Sequence, residues 1–295
     1  MENNSPKFSI IISTYNRVSI LANSLKSVMA QTYGDYEIIV SDDASTDTTK
    51  ELVSQITKVR IVYLRNERNL GLSATRNAAL KKARGEFLVI IDDDTTLESE
   101  FLEKLDRVIS LKKSRVFCPM ILDPETNEPF VNLFKNHKEK SLGYRDFNYF
   151  IGLANIFARE VFTKCGEYDE RFGVGARYFS AEESDYFFRL KRTGEKILYI
   201  PELIVYHRKE KNISGEKVYK YSYGISAMLT KQLITDFSRW YLYYSIISWR
   251  LIISLLRSLQ YVFSPNTIRE KNNLYKYSYF FKGTLAGIYG YLRFR

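Results

Sequence analysis

Phe87-Leu88-Val89-Ile90-Ile91-Asp92-Asp93-Asp94 is the stretch on which the fold turns. An apolar run, preceded by Gly85 and closed by a polar cluster, reads as a buried strand. Three carboxylates where that strand leaves the core repel one another unless something positive sits among them. Hard divalent cations such as Mg2+ or Mn2+ prefer oxygen ligands and commonly arrive with a phosphate. The plainer alternative is a solvated acidic turn with a helix cap at Thr95 or Thr96.

Strand and helix signals alternate on both sides of this stretch. Phe8 to Ile12 reads as a strand and is followed by the polar turn Ser13-Thr14-Tyr15-Asn16-Arg17. A helical pattern through Leu21, Leu25 and Val28 comes next. Tyr36 to Val40 is a second strand, closed by Ser41-Asp42-Asp43-Ala44-Ser45. A helix near Asp47 to Ile56, a strand from Val59 to Leu64 and a helix from Leu70 to Ala83 lead to the acidic stretch. A helix from Glu98 to Leu111 and a strand from Arg115 to Met120 follow it. Strands alternating with helices imply right-handed crossovers and a mainly parallel sheet. In such a sheet ligands bind beyond the carboxyl ends of the strands. The clusters at 13–17, 41–47 and 92–96 all follow strands, so they are expected at one edge of one crevice. There is no GxGxxG after the first strand and no P-loop, so a nucleotide there is held by side chains and a metal.

The chain has 295 residues and a net charge of +10. Residues 208–295 hold 15 Lys and Arg against 4 Asp and Glu, whereas residues 1–207 hold 29 against 30. This divides the chain into a neutral domain, 1–207, and a basic, aromatic-rich helical region, 208–295. Such asymmetry points to a polyanionic partner, nucleic acid or an anionic membrane surface. Cys118 and Cys165 make neither a metal-ligand pattern nor a disulfide framework, and reduced thiols in a cytoplasmic protein are expected. The N-terminal residues show no apolar core of a secretory signal.

With these motifs in order, residues 8–207 resemble the inverting family 2 glycosyltransferases of the GT-A fold, of the bacterial surface-polysaccharide type. The resemblance rests on residues 13–17, on Ser41-Asp42-Asp43-Ala44-Ser45-Thr46-Asp47, and on Asn69-Leu70-Gly71-Leu72-Ser73-Ala74-Thr75-Arg76-Asn77. Asp92-Asp93-Asp94, Ala181-Glu182-Glu183-Ser184-Asp185 and Val205-Tyr206-His207 complete it. It implies a Rossmann-like α/β sheet flanked by helices. It implies a metal-dependent hexosyltransferase that uses Mn2+ or Mg2+ and a UDP- or dTDP-linked sugar. The acceptor would be a hydroxyl of a glycan or lipid-linked molecule in cell-surface polysaccharide synthesis. By the same resemblance Thr14, Tyr15, Asn16 and Arg17 lie against the nucleotide, and Asp43, or Asp42, bonds the base. Arg76 falls near the diphosphate or sugar. Asp92 and Asp94, with Asp93 between them, correspond to the DxD pair, and Asp94 and His207 are the metal-side residues.

Sugar transfer needs a base to take the acceptor's proton and a positive group to stabilise the departing diphosphate. Glu182, Glu183 and Asp185 supply candidates for the base, although acids in a first helical turn also serve the helix dipole. The family has Glu-Asp at this point, with a further Asp four residues before an Arg. Asp185 and Arg189 keep that spacing, so Glu183 takes the position of the base and Asp185 is the second candidate. Glu183 departs from the family's Asp by one methylene. Gly152 and Asn155, with Glu182 and the run Phe172-Gly173-Val174-Gly175, are expected on the acceptor side. His137 is assigned no role.

Trp240 to Phe263 is the longest apolar stretch, but its longest charge-free run, ten residues from Trp240 to Trp249, is too short to span a bilayer. At 100° per residue Arg239, Arg250 and Arg257 fall within about 20° of one another. This predicts an interfacial helix with arginines toward headgroups and Tyr, Leu, Ile and Trp opposite. The basic surroundings, among them Lys209, Lys211, Lys217, Lys220, Arg269, Lys271, Lys276, Lys282, Arg293 and Arg295, favour anionic lipid. The expected location is cytoplasmic, peripheral on the inner face of the cell membrane. The alternatives are packing on the catalytic domain or on a second copy, giving a homo-oligomer. Two other activities compete. A sugar-nucleotide nucleotidyltransferase should carry a Gly-rich loop after the first strand, and this chain does not. An inactive homologue could act as a membrane or assembly partner. A nucleic-acid binder leaves the acidic clusters unexplained.

Overall fold

The computed structural model describes residues 5–57, 59–131, 137–210, 212–263 and 268–294, with backbone only at 257–263 and 268–275. Lys211 and Arg295, and the side chains of Arg257, Arg269 and Lys271, lie outside the described residues. The chain forms two compact units, and their borders differ from the expected division. One contains Met1–Tyr168 and Tyr186–Lys209, and the other contains Asp169–Asp185 and Glu210–Arg295. The segment 169–185 therefore groups with the C-terminal helices, because packing rather than chain order defines a unit.

The first unit is built on a sheet in the order β3-β2-β1-β4-β8-β6-β9-β5, with β7 (Lys140–Ser141) pairing β9. β1 (Phe8–Thr14), β2 (Tyr36–Asp42), β3 (Ile61–Arg65) and β4 (Phe87–Asp92) are mutually parallel. All of β1 is buried, which fits a continuous apolar run covered on both faces. α1 (Val18–Met29), α2 (Thr49–Ser54), α3 (Leu72–Lys82) and α4 (Phe101–Leu111) connect or flank these strands. α4 buries Phe101, Leu102, Leu105 and Val108 at helical spacing. Gly85 marks a close approach, since a Cβ there would lie 2.4 Å from Ser9 N.

Beyond β4 the sheet is mixed. β8 (Ala154–Ala158) runs antiparallel to β4, with Phe87 opposite Ala158 and Ile91 opposite Ala154. β6 (Val116–Leu122) is antiparallel to β8 and parallel to β9 (Ile197–His207), and β5 (Thr95–Leu97) is antiparallel to β9. β5, β7 and β8 have no counterpart in the hydrophobic periodicity because they are short. Their pairing partners, not their own pattern, make them strands. α5 (Arg159–Cys165) follows β8, and α6 (Glu182–Arg192) starts in the second unit and ends in the first.

The second unit is mainly α7 (Gly215–Thr235), α8 (Trp240–Phe263) and α9 (Ile268–Arg293). Gly283 and Gly287 let α9 approach α7 closely: a Cβ on Gly287 would lie 2.2 Å from Tyr223 O. No helix among the described residues is long and apolar enough to cross a membrane. The orientation expected for α8 needs correction. The guanidinium of Arg250 packs over the ring of Phe280 on α9, 4.4 Å from its centroid, with Nε and Nη2 buried and without hydrogen-bond partners. Its burial lowers its pKa to about 10. Arg239 pairs with Asp236. Among the described residues, the exposed large apolar and aromatic residues of α8 are instead Trp240, Tyr241, Tyr244, Trp249, Ile252, Leu255 and Leu256. A helical wheel fixes which residues share a face but not which face a neighbour covers.

Candidate active site

Parallel register gathers the expected clusters. Thr14 lies opposite Asp42, and Ser13 lies opposite Asp92, so residues 13–17, 41–47 and 92–94 share the carboxyl edge of the sheet. The first two loops are tied together. Asn16, at φ 53°, donates from its backbone N–H to Ser45 Oγ at 2.8 Å and accepts at Oδ1 from Thr46 N at 2.7 Å. Asp42 is buried, accepting from Ser45 N and from the Tyr63 hydroxyl. Asp43 accepts from Asn66 Nδ2, Leu70 N and Gly71 N, each at 2.8 Å. Both carboxylates expected to face a base thus also anchor the chain itself. Tyr15 is left 45% exposed at the rim.

The acidic triplet is held by two arginines and a histidine. Arg76 of α3 is almost fully buried and donates to Asp92 Oδ1 at 2.5 Å and to Gly152 O at 3.3 Å, over the ring of Tyr168. It is not a solvated helix residue. Asp93 is buried, accepting from Thr14 Oγ1 and Arg17 Nη1, both at 2.7 Å. Burial pushes its carboxyl up to about 6, against the pull of Arg17 and Thr14. Asp94 accepts from Arg17 Nη2 at 2.7 Å. Burial alone would raise it, but His207 and Arg17 outweigh that and bring it down to about 2.

His207 reaches Asp94 through strand register. It lies opposite Thr95 on the β5–β9 ladder, and its Nε2 is 3.2 Å from Asp94 Oδ1. Asp94 Oδ1 is buried, and the His207 Nε2 approach is its one close polar contact among the described residues. A buried carboxylate oxygen beside an imidazole nitrogen fits a hard divalent cation. Among the described residues no three His, Cys, Asp or Glu side chains gather as a complete cage. Asp94 and His207 are the two side chains here that could hold such a cation.

Of the residues expected on the acceptor side, Asn155 is buried opposite Ile90 and donates from Nδ2 to Ile151 O. Gly152 contributes its carbonyl to Arg76, as above. The acids of α6 are treated differently from one another. Asp185 is fully buried, and its Oδ1 accepts from Lys231 Nζ at 2.6 Å and Gln232 Nε2 at 2.8 Å, both on α7. Glu182 is buried and Glu183 is partly exposed. Residues 183 and 185 are about 200° apart around a helix, so an inward Asp185 turns Glu183 to the other side. In the run 172–175, Phe172 is buried, Val174 is 66% exposed, and Gly173 and Gly175 take positive φ.

Sequence reasoning quoted Ser45 and Asn77 within motifs without giving them these roles, and it missed Tyr63, Asn66, Tyr168, Lys231 and Gln232. Asn77 bridges both backbone groups of Tyr168, which brings that ring under Arg76. These residues have no local signal, because each acts on a partner far away in the chain.

A half-parallel α/β sheet with an acidic cluster at its carboxyl edge and an antiparallel strand beside it is the GT-A architecture. Residues 9–168 match the model of Glycosyl transferase family 2, and the chain belongs to that family. A Campylobacter jejuni protein, GalNAc(5)-diNAcBac-PP-undecaprenol beta-1,3-glucosyltransferase, is 38% identical over 125 residues, which is 41% of this chain and 40% of that protein. The similarity thus spans well under two thirds of that relative. Among solved structures, S. aureus TarS 1-349 in complex with UDP-GlcNAc matches with TM-score 0.62 and 22% identity, over 76% of this chain and 66% of that one. Mannosyltransferase PcManGT from Pyrobaculum calidifontis, in complex with GDP-Man and Mn2+, matches with TM-score 0.67 and 15% identity, over 97% and 88%. At these identities the two structures show a shared fold.

Proposed function

We propose that the chain is an inverting hexosyltransferase. It moves a sugar from a UDP- or dTDP-linked donor to a hydroxyl of a glycan or lipid-linked acceptor in cell-surface polysaccharide synthesis. The observation that carries this reading is the convergence of Asp92, Asp93 and Asp94 with Arg17, Arg76 and His207 at the carboxyl edge. Arg17 and Arg76 would meet a diphosphate there and Asp94 with His207 would hold a cation that supplies further positive charge, whereas a solvated acidic turn needs neither.

Asp94 and His207 would hold Mn2+ or Mg2+, which when bound supplies positive charge to the departing diphosphate. Arg17 and Arg76 orient the aspartates and add positive charge. Thr14, Tyr15, Asn16, Asp42 and Asp43 border the nucleoside. Glu183 takes the proton from the acceptor hydroxyl as that oxygen attacks the anomeric carbon. The bond to the diphosphate oxygen breaks on the opposite face, and the anomeric configuration inverts. Asp185 is ill suited to this role because it is already bound to Lys231 and Gln232. The glucosyltransferase relative's undecaprenol-diphosphate acceptor favours a lipid-linked acceptor here too.

Residues 208–295 would place the enzyme on an anionic membrane. The support is the exposed aromatic and aliphatic face of α8, which would enter the interface while nearby lysines meet headgroups.

Release of nucleoside diphosphate from UDP-glucose, UDP-GlcNAc and dTDP-glucose, with and without Mn2+, tests the activity. Asp94→Ala is expected to lower turnover by about 100- to 1000-fold, and Glu183→Gln by about 100-fold with donor binding kept. Absence of both binding and release for every donor would sink the proposal.

A further inference from the structure

We propose that Lys231 of α7 is a positioning residue for Glu183, so that the C-terminal helices set the geometry of the base and do not serve only as an attachment to membrane. This inference rests on the transferase reading above. It concerns residues beyond the segment that matches the family, and every contact used lies within the second unit.

The segment that leads into α6 is held in an unfavourable backbone conformation. Phe179 and Ala181 take φ of 63° and 75°, the left-handed region, which non-glycine residues keep only when their surroundings impose it. The surroundings here are α7. Gly224 lies so close that a Cβ on it would meet Ser180 Oγ at 2.3 Å and Tyr178 O at 2.6 Å. Lys231 lies seven residues further along, within about 20° of the same helical face. Its ammonium donates to Asp185 Oδ1 at 2.6 Å and to Asp169 Oδ2 at 2.8 Å. Gln232 adds a second donor to Asp185, and the Phe172 ring lies under the ammonium at 5.5 Å. Asp169 is further clamped by Arg171, and the two cations hold its carboxyl well below the usual range despite burial.

One ammonium therefore joins both ends of the excursion 169–185, closing it as a buried clasp. Asp185 is pinned inward at 0% exposure, and the helix places Glu183 on the other side. A carboxylate without that clasp could rotate the first turn of α6 and carry Glu183 with it. Displacement of about 1 Å at a catalytic group can cost about 100-fold in rate.

The test uses the full chain with UDP-glucose, UDP-GlcNAc and dTDP-glucose. It reads kcat of donor hydrolysis, in which water replaces the acceptor, beside the donor dissociation constant by calorimetry. Lys231→Met should lower kcat by about 10- to 100-fold with donor affinity within about twofold of wild type. Lys231→Arg, which keeps the charge and can reach both carboxylates, should recover most of the rate. Should Lys231→Met fail to fold by circular dichroism, Lys231→Met/Asp185→Asn removes the ion pair together and should show the same split. Unchanged kcat in a folded variant would overturn the inference, as would parallel loss of kcat and donor affinity. A wild type that neither binds nor hydrolyses any of the three donors removes the transferase reading itself, which is a separate outcome.

Discussion

The sheet edge and the C-terminal helices both present charged residues at regular spacing, yet the two regions use them in opposite ways. At the edge, Asp92, Asp93 and Asp94 stay at the surface of the core and are met by Arg17, Arg76 and His207. In the C-terminal helices, Arg239 just before α8 pairs with Asp236, and the half-buried Arg250 of α8 lays its guanidinium against Phe280. A parallel strand leaves its core in a direction set by the chain, so residues after it reach a known edge. A helix has no such direction around its own axis, and its neighbours choose the covered face.

The contrast can be broken at its strongest point first. Arg76→Met leaves Asp92 without its guanidinium beneath the edge, and urea unfolding should show a loss of about 2–4 kcal/mol. A loss under about 0.5 kcal/mol would mean the edge pairs are no more coupled than surface ions.

A smaller effect should appear with pH. Asp93 is raised from 3.8 to about 6 in the folded state, so the folded state binds its proton more tightly than the unfolded chain. That stabilisation is complete below the unfolded value and is lost as pH rises through about 6. Asp93→Asn removes the titration. Its stability relative to wild type should therefore improve by about 1–2 kcal/mol between pH 4 and pH 7, followed by thermal melts across that range. A flat difference would show that Arg17 fully compensates burial.

The smallest effect belongs to α8. Arg250→Met replaces a half-buried guanidinium whose Nε and Nη2 are buried without hydrogen-bond partners with an apolar chain of similar length, and should stabilise the protein by about 1 kcal/mol. It should leave binding to phosphatidylglycerol vesicles unchanged, whereas Trp249→Ser/Leu256→Ser should weaken it several-fold in flotation assays. The reverse pattern would restore the headgroup-facing arginines.

Much of the first unit was legible in the chain. The runs before Asp42 and Asp92, and the polar turn after Ile12, announced strands with chemistry at their carboxyl ends, and parallel register delivered them to one edge. α3 was legible as a helix but not as a polar one. Its buried face includes Ser73, Thr75, Arg76 and Asn77, since the groups it packs against are themselves loops and carboxylates. The short strands β5 and β8 were not legible, and without β5 the approach of His207 to Asp94 had only the resemblance behind it.

The alternation of strands and helices through β4, the edge on which the carboxylates stand and the division into a neutral and a basic part follow from the sequence alone. They depend on local periodicity, chain direction and charge counts. The grouping of 169–185 with the C-terminal helices, the packing of Arg250 on Phe280 and the engagement of Asp185 by Lys231 and Gln232 were decided by tertiary structure. Each depends on which distant surface excludes water from one side of a segment, and no local pattern carries that information.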